Sequence, residues 1–455
     1  MAEKIYYFST NGKAGRATFG EALLKGLAPD KGLYMPERIP VISEDIRRSM
    51  AGKTYAELAF LVARNMLQGE VDDASLKEMA DEAYNFAVPL EKVTGRKYIM
   101  RLDQGPTASF KDFAARMMGR LMQYFLKKQD RKMLILTATS GDTGSAIANA
   151  FYGLDNIEVV ILFPKDEVTS RQRKQMTTLR HNIRIVCLDG KFDDCQALVK
   201  TAFSDPSLDY LQLSSANSIN IGRLLPQSFY YFYAWSQLSL SPGEQAIFAI
   251  PSGNFGNMMG GLLAKSMGLP VKRFVIATNE NDEVPVYWQT GNYNTIIPSR
   301  NCVSSAMNVG HPSNMARVVS LYNGVMNETG EITREPDIRK MRSEIAAYSV
   351  TDKETIETVK TLFKEYNVLA EPHGAAGWAG LMKYFNDYPA DDNPGQLSIC
   401  LETAHPAKFP EEIQRVLNID PDLPPSLEGL DHLEESFEAI QKDYSHFKEF
   451  LVSRY

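Results

Sequence analysis

Four short stretches carry residue types that could hold a phosphorylated small molecule and act on it. The first is Gly105-Pro-Thr-Ala-Ser-Phe-Lys-Asp-Phe, which sets Lys111 between Phe110 and Phe113 at the expected start of a helix. Aromatic neighbours strip water from an ammonium, and the first turn of a helix is the positive end of its dipole. Both disfavour the charged form and leave the neutral amine that adds to carbonyls as an imine. Most lysines are solvated surface residues, and this stretch alone does not separate the two readings. The second stretch, Ala249-Ile-Pro-Ser-Gly-Asn-Phe-Gly-Asn, runs from a buried strand through a two-glycine turn into a helix of small residues. Opening helix amides with close backbone access make a phosphate cradle, though such turns also serve as plain connections. The third, Leu134-Ile-Leu-Thr-Ala-Thr-Ser-Gly-Asp-Thr-Gly, delivers Thr139, Ser140, Gly141, Asp142 and Thr143 to another helix start, suited to a carboxylate or to simple capping. The fourth, Cys400-Leu-Glu-Thr-Ala-His-Pro-Ala-Lys-Phe, places Thr403 at the carboxyl end of a strand, where open α/β sheets hold ligands. His405 and Lys408 follow in the loop, where a solvated residue is the ordinary reading.

Composition narrows the classes. The chain has 455 residues, 44% hydrophobic and 23% charged, with a formal net charge of -7, so it suits several packed units rather than a nucleic-acid surface. Its four cysteines form no CxxC pair, and its six histidines show no HExxH or HxH spacing, so neither a disulfide scaffold nor a metal site is expected. Cys187 and Cys400 lie in apolar runs and read as reduced, buried thiols. No apolar leader opens the sequence, and no run nears the ~18 residues of a spanning helix, so a soluble cytoplasmic protein without membrane contact is expected. No GxGxxG follows a strand with an acid about 20 positions on, which argues against a dinucleotide site.

These stretches must be positioned by regular elements. Met133–Ala138, Ile157–Phe163, Ile183–Leu188, Ala246–Ile250, Phe274–Thr278 and Leu397–Leu401 are near-continuous runs of apolar residues, as a sheet buried on both faces requires. Helical spacings follow at Ser145–Tyr152, Met258–Ser266 and Glu411–Leu417, and the alternation predicts parallel α/β sheets with right-handed crossovers. Residues 1–90 read as short turns and helices, clearest at Tyr55–Leu67, ahead of a catalytic core at 91–420. After Pro421, Pro424 and Pro425, the residues Leu430, Leu433, Phe437, Ile440, Tyr444, Phe447 and Leu451 step by threes and fours and predict one docked C-terminal helix within 421–455.

Taken in order, these pieces resemble the threonine synthase family. The resemblance runs from about Tyr6 to about Leu417. It takes in Phe19-Gly-Glu-Ala-Leu-Leu-Lys-Gly-Leu-Ala-Pro-Asp-Lys-Gly-Leu-Tyr-Met-Pro, the Gly105–Asp112 stretch, Thr139-Ser-Gly-Asp-Thr-Gly and Ser214-Ser-Ala-Asn-Ser-Ile-Asn-Ile-Gly-Arg-Leu. Pro251–Asn257, Ser305-Ala-Met-Asn-Val-Gly-His-Pro-Ser-Asn, Glu371-Pro-His-Gly-Ala and Thr403-Ala-His-Pro-Ala-Lys-Phe complete it. Gln104 departs from the histidine the family often carries before Gly-Pro-Thr.

The resemblance implies two α/β domains of the tryptophan-synthase-β group closing over pyridoxal 5'-phosphate. Lys111 would be the lysine joined to the cofactor. Gly253, Asn254, Phe255, Gly256 and Asn257 would bind its phosphate, and Thr403 would stand beside the ring nitrogen. Thr139 to Thr143 would face the substrate carboxylate. Ser214, Asn220, Arg223 and Lys408 are candidates for the substrate phosphate. The implied reaction is a lyase step of threonine biosynthesis, from O-phospho-L-homoserine and water to L-threonine and phosphate, by a monomer or weak homodimer. It involves proton loss at Cα and Cβ, departure of the γ-phosphate, protonation at Cγ and water addition at Cβ. A hydroxyl such as Thr403 in place of a carboxylate would leave the ring nitrogen less fully protonated. Rival readings are a dehydratase or phospholyase of the same fold, and a non-catalytic metabolite sensor that would not need Lys111.

Overall fold

The computed structural model describes residues 4–139 and 141–455, and two parallel sheets dominate it. The larger runs in the order Ile345–Ser349, Val271–Thr278, Ala246–Pro251, Ser398–Glu402, Lys97–Arg101, Leu90–Thr94, parallel except for the last, antiparallel pair. The smaller runs Glu438–Ile440, Ile183–Leu188, Ile157–Pro164, Met133–Ala138, Leu213–Ser214, parallel throughout. The near-unbroken burial of Met133–Ala138 and Ala246–Pro251 fits strands covered on both faces, as their apolar runs require.

Both sheets open a crevice where connections diverge. The chain leaves Ala246–Pro251 toward Val271–Thr278, while Ser398–Glu402 pairs on its other side. It leaves Met133–Ala138 toward Ile157–Pro164, while Leu213–Ser214 pairs on the other side. The loops after Pro251, Glu402 and Ala138 thus emerge at the positions where α/β sheets bind ligands.

The N-terminal region braces the helix that carries Lys111. Thr54 and Glu57 form a capping box that starts the helix Tyr55–Leu67, and Tyr55 packs edge-on against Tyr84 and Phe113. The Tyr84 hydroxyl donates to the Phe113 carbonyl at 2.9 Å, within the first turn of the helix Lys111–Gln129.

The C-terminal stripe is not one helix. Leu430–His432 is a single 3-10 turn, Glu438–Ile440 is a strand paired with Val186–Leu188, and only Tyr444–Val452 is helical. The exposed edge of Ile183–Leu188 offers unpaired N–H and C=O groups, and satisfying them outweighs helix continuity. Leu433 and Phe437 remain 52% and 43% exposed, so two members of the stripe never enter the core. The helical part does dock: Phe447 and Leu451 are fully buried among Leu198, Val199 and Leu208. Phe447→Ala is therefore expected to cost about 3–5 kcal/mol in denaturant unfolding. Leu433→Ala should stay within about 0.5 kcal/mol of the parent.

Candidate active site

The lysine turn is fixed from two sides. The buried Asp112 carboxylate accepts from the Thr107 amide at 2.8 Å and the Thr107 hydroxyl at 2.6 Å, tying the turn to the helix. A Cβ on Gly105 would come within 2.5 Å of Asp112 Oδ2, so only glycine fits there. Across the turn, the Phe110 amide donates to the Thr403 carbonyl at 2.9 Å and the His405 amide to the Ala108 carbonyl at 3.0 Å. Lys111, one residue on, is thereby delivered next to Thr403.

Three charges meet at that point. Lys111 Nζ lies 3.7 Å from Asp142 Oδ2, and Lys408 Nζ lies 2.6 Å from Asp142 Oδ1. Lys408, the loop lysine expected in solvent, is fully buried and also donates to the Thr107 carbonyl at 2.8 Å. Gln172 Nε2 donates to Asp142 Oδ1 at 2.9 Å. Burial alone would raise the Asp142 carboxyl, but Lys408 and then Lys111 hold it well below the usual carboxylate range. Burial pulls the Lys111 ammonium down, aided by the charges of Lys408 and Arg223 and opposed by Asp142. A neutral amine is correspondingly more accessible at Lys111 than at a surface lysine.

A second helix start faces this amine. Thr139 Oγ1 accepts from the amides of Gly141 at 3.0 Å and Gly144 at 2.8 Å, so its hydroxyl shapes the loop. Gly141 takes φ 134°, and a Cβ there would meet the Gln172 side chain at 2.6 Å. The N-cap residue of the helix Asp142–Phe151 is Gly141, which has no side chain to offer; Thr139 takes the Gly144 amide in its place, and Asp142 turns to the lysines. Thr143 is half-buried beside it, and Ser140 lies outside the described residues.

The turn after Pro251 fits a phosphate. Phe255 adopts φ 60° ahead of the helix Gly256–Ser266, which has no side-chain cap. The first amides of such a helix have no intrahelical partner and point at an anion. Gly253 passes so close to the Ser305–Met307 turn that a Cβ would approach the Ala306 carbonyl to 2.9 Å. Asn254 is exposed, and its carbonyl accepts from Asn314 Nδ2 at 3.0 Å. Asn257 Oδ1 accepts from the hydroxyls of Tyr230 at 2.7 Å and Tyr231 at 2.6 Å, while its Nδ2 is buried without a partner among the described residues. Backbone donors, glycine clearance and a spare amide donor match the needs of a phosphorylated cofactor.

Thr403 is buried at the end of Ser398–Glu402, its hydroxyl 3.5 Å from Glu371 Oε1. The only local sequence signal at Glu371 and His373 is an acid before proline at a helix start, which is a capping pattern. Asp112 and Gln172 carried no signal, since their partners lie on loops whose approach no spacing reveals.

The four phosphate candidates separate. Asn220 Nδ2 donates to the Leu23 and Ser215 carbonyls at 2.9 and 3.0 Å, and its Oδ1 accepts from the Gly222 amide. It has no donor left for a phosphate, so we assign it to shaping this loop rather than to substrate contact. Ser214 is fully buried with an unpartnered hydroxyl, beside Gly26 of the N-terminal region. Arg223 donates to the Ala216 carbonyl at 2.8 Å, leaves Nε unpartnered, and is lowered to about 10 by burial. Lys408 is committed to Asp142 and Thr107. Among the described residues no cluster could hold a metal ion, and no helix is long and apolar enough to cross a membrane.

Comparison with known proteins agrees along the whole chain. Residues 87–393 match the family described as pyridoxal-phosphate dependent enzyme, residues 6–84 the threonine synthase N terminus, and residues 382–451 the threonine synthase C-terminal family. A threonine synthase of Haemophilus influenzae is 39% identical over 96% of this chain and 97% of its own. The crystal structure of a PLP-bound threonine synthase from Brucella melitensis superposes with a TM-score of 0.91 at 34% identity, covering 98% of both chains. A threonine deaminase from Solanum lycopersicum, at 17% identity and a TM-score of 0.55 over 79% of this chain, shares the fold alone. The chain belongs to the threonine synthase family of pyridoxal-phosphate-dependent enzymes.

Proposed function

We propose that the protein converts O-phospho-L-homoserine and water to L-threonine and phosphate, with pyridoxal 5'-phosphate held between the sheets and carried by Lys111. The observation that carries this reading is a buried amine, lowered from the ordinary lysine value, set beside Thr403 and facing Asp142 at the start of a second helix. Bound pyridoxal phosphate supplies an electron sink for negative charge developing beside the substrate amine.

The chain's residues supply the rest. The amides opening Gly256–Ser266, with Asn257 Nδ2, would hold the cofactor phosphate, their direction set by Phe255. Thr403 would stand beside the ring nitrogen. Lys111 would carry the cofactor, and its neutral amine would take the proton from Cα and return protons at later carbons of the substrate, with Asp142 stabilising its charged form. The amides of Asp142 and Thr143, in the loop that Thr139 and Gly141 shape, would receive the substrate carboxylate. Arg223, with its planar fork of donors, and the buried Ser214 hydroxyl would be the groups left for the substrate phosphate. We place the protein in the cytoplasm as a monomer or weak homodimer.

The decisive experiment is an absorbance spectrum of the purified protein with and without phosphohomoserine, coupled to detection of threonine and phosphate. Release of 2-oxobutyrate in place of threonine would identify a phospholyase instead. Arg223→Ala is expected to raise KM for phosphohomoserine about tenfold or more, matching a lost charge-assisted contact of about 1.5–3 kcal/mol, while the cofactor band persists. An unchanged KM removes Arg223 from the phosphate site.

A further inference from the structure

Behind the turn that follows Pro251 lies a buried cation that the reaction above does not use. Arg317 sits in the first turn of the helix Met315–Leu321 and is fully buried. Its Nε donates to the Tyr34 carbonyl at 3.1 Å and its Nη2 to the Ile219 carbonyl at 2.6 Å. Its Nη1 donates to the Ser218 carbonyl at 3.3 Å and to Asn314 Oδ1 at 2.6 Å. All four acceptors are neutral. Burial pulls the guanidinium down to about 9, and no charged neighbour contributes. It is therefore a cation at neutral pH with no acid to balance it among the described residues, and the positive end of its own helix adds to the imbalance. Arg223, also buried, feels the charge of Asp112.

The bonds of Arg317 order the groups that back the turn. Arginine only donates, so Asn314 must present its oxygen to Arg317 and its Nδ2 elsewhere. That Nδ2 donates to the Asn254 carbonyl at 3.0 Å and to the Ser218 carbonyl at 3.2 Å, and the Asn314 amide donates to the Asn254 carbonyl at 3.3 Å. A Cβ on Gly256 would lie 3.5 Å from Asn314 Nδ2 and 3.8 Å from Ser218 Cβ. The residues that Arg317 holds thus pack straight onto the first residue of the helix Gly256–Ser266. A buried charge keeps its desolvation penalty until an anion answers it, and the amides of that helix start are open to one.

We propose that Arg317 is a positioning residue for the cofactor phosphate: it fixes Asn314, which holds the turn after Pro251 in shape, and its unbalanced charge makes that turn prefer a phosphate to a neutral group. This rests on the reading of the turn as the phosphate site. The donors of Arg317 go to carbonyl oxygens, so its charge acts through the layer of Asn314 and Ser218 that lies against Gly256. In such a dry layer a charge is screened far less than in water.

The test compares pyridoxal phosphate with pyridoxal, which lacks the phosphate, by equilibrium dialysis against the full chain freed of cofactor. The readout is the ratio of the two dissociation constants, because a merely structural loss weakens both ligands alike and leaves the ratio in place. The native chain should favour pyridoxal phosphate; equal affinities would overturn the reading of the turn as a phosphate site and take the proposal with it. Arg317→Gln, which keeps an amide donor and drops the charge, should lower that preference at least about tenfold, as the loss of a charge-assisted interaction implies. Arg317→Lys, which keeps the charge, should stay close to native. A native preference in Arg317→Gln defeats the proposal while the phosphate site stands. A preference as low in Arg317→Lys as in Arg317→Gln also defeats it, because charge would then not be what acts. Should Arg317→Gln fail to fold, Arg317→Lys decides alone: a preference near native supports the proposal, and a loss of about tenfold or more overturns it. The native chain gives a check that needs no variant. Millimolar inorganic phosphate should raise its unfolding temperature above that in sodium chloride of equal ionic strength, and the absence of a rise overturns the proposal.

Discussion

Lys111→Ala is expected to lower kcat for phosphohomoserine turnover by at least about 10³-fold, since one change removes both the covalent anchor and the positioned proton carrier. That factor corresponds to roughly 4 kcal/mol of transition-state stabilisation. Borohydride reduction of the native holoenzyme should fix the cofactor to a peptide containing Lys111, and the variant should yield no adduct there. The fold should survive. Lys111 opens its helix without capping it, its ammonium is disfavoured by burial, and Asp142 keeps Lys408 as a closer partner in the variant. Its unfolding midpoint should therefore stay close to the parent, which separates a catalytic loss from a folding loss. A reduced adduct on another lysine, or unimpaired turnover by the variant, would overturn the assignment. A metabolite sensor built on the same sheets would keep its ligand affinity after this change, so binding measured alongside turnover distinguishes that rival as well.

What could be read from the sequence divides along the range of the interactions. Strands such as Met133–Ala138 and Ile183–Leu188 match their apolar runs because burial on both faces writes itself into every position. The helix Tyr55–Leu67 was equally plain, with its capping box and stripe both local. The C-terminal stripe misled because three- and four-residue steps are compatible with a turn, a short strand and a helix in succession. What decided it was the unpaired edge of Ile183–Leu188, which lies some 250 residues earlier and leaves no mark on the local pattern. The same limit applies at the site. Lys111 could be suspected from its aromatic neighbours, but nothing local to Lys408 distinguishes it from a solvated loop lysine; its burial follows from Asp142 and Thr107, brought to it by two other loops. Asn220 shows the reverse error. It sits in a matched motif, yet its amide is consumed by backbone carbonyls of the N-terminal region and of its own loop. A motif marks a resemblance to a family without saying which of its members touch the ligand.

Lys408→Met should be the most destabilising single change at the site. The lysine is fully buried, and its loss leaves the Asp142 carboxylate with the neutral Gln172 amide and, as its one nearby cation, the more distant amine of Lys111 at 3.7 Å. Breaking a buried pair from one side costs about 3–5 kcal/mol, because the remaining charge keeps its desolvation penalty. Asp142→Asn combined with Lys408→Met should cost less than Lys408→Met alone, since no uncompensated anion is left behind. The pH dependence has a definite sign. The Asp142 carboxyl is depressed in the folded protein, so its contribution is fully present above the ordinary carboxylate value of about 4 and is lost as pH falls below it. In Lys408→Met that depression is weakened and burial pushes the carboxyl the other way. The stability gap between parent and variant in urea should therefore be widest near neutrality and should narrow as pH falls toward and below about 4. A cost below about 1 kcal/mol, with no narrowing, would mean that water reaches Lys408 and that the pair is an ordinary surface contact. A large cost that narrows in acid would identify Asp142 as the anion that sets the spacing between two amines, one structural and one reactive, which a single carboxylate can do only while both of its oxygens are engaged.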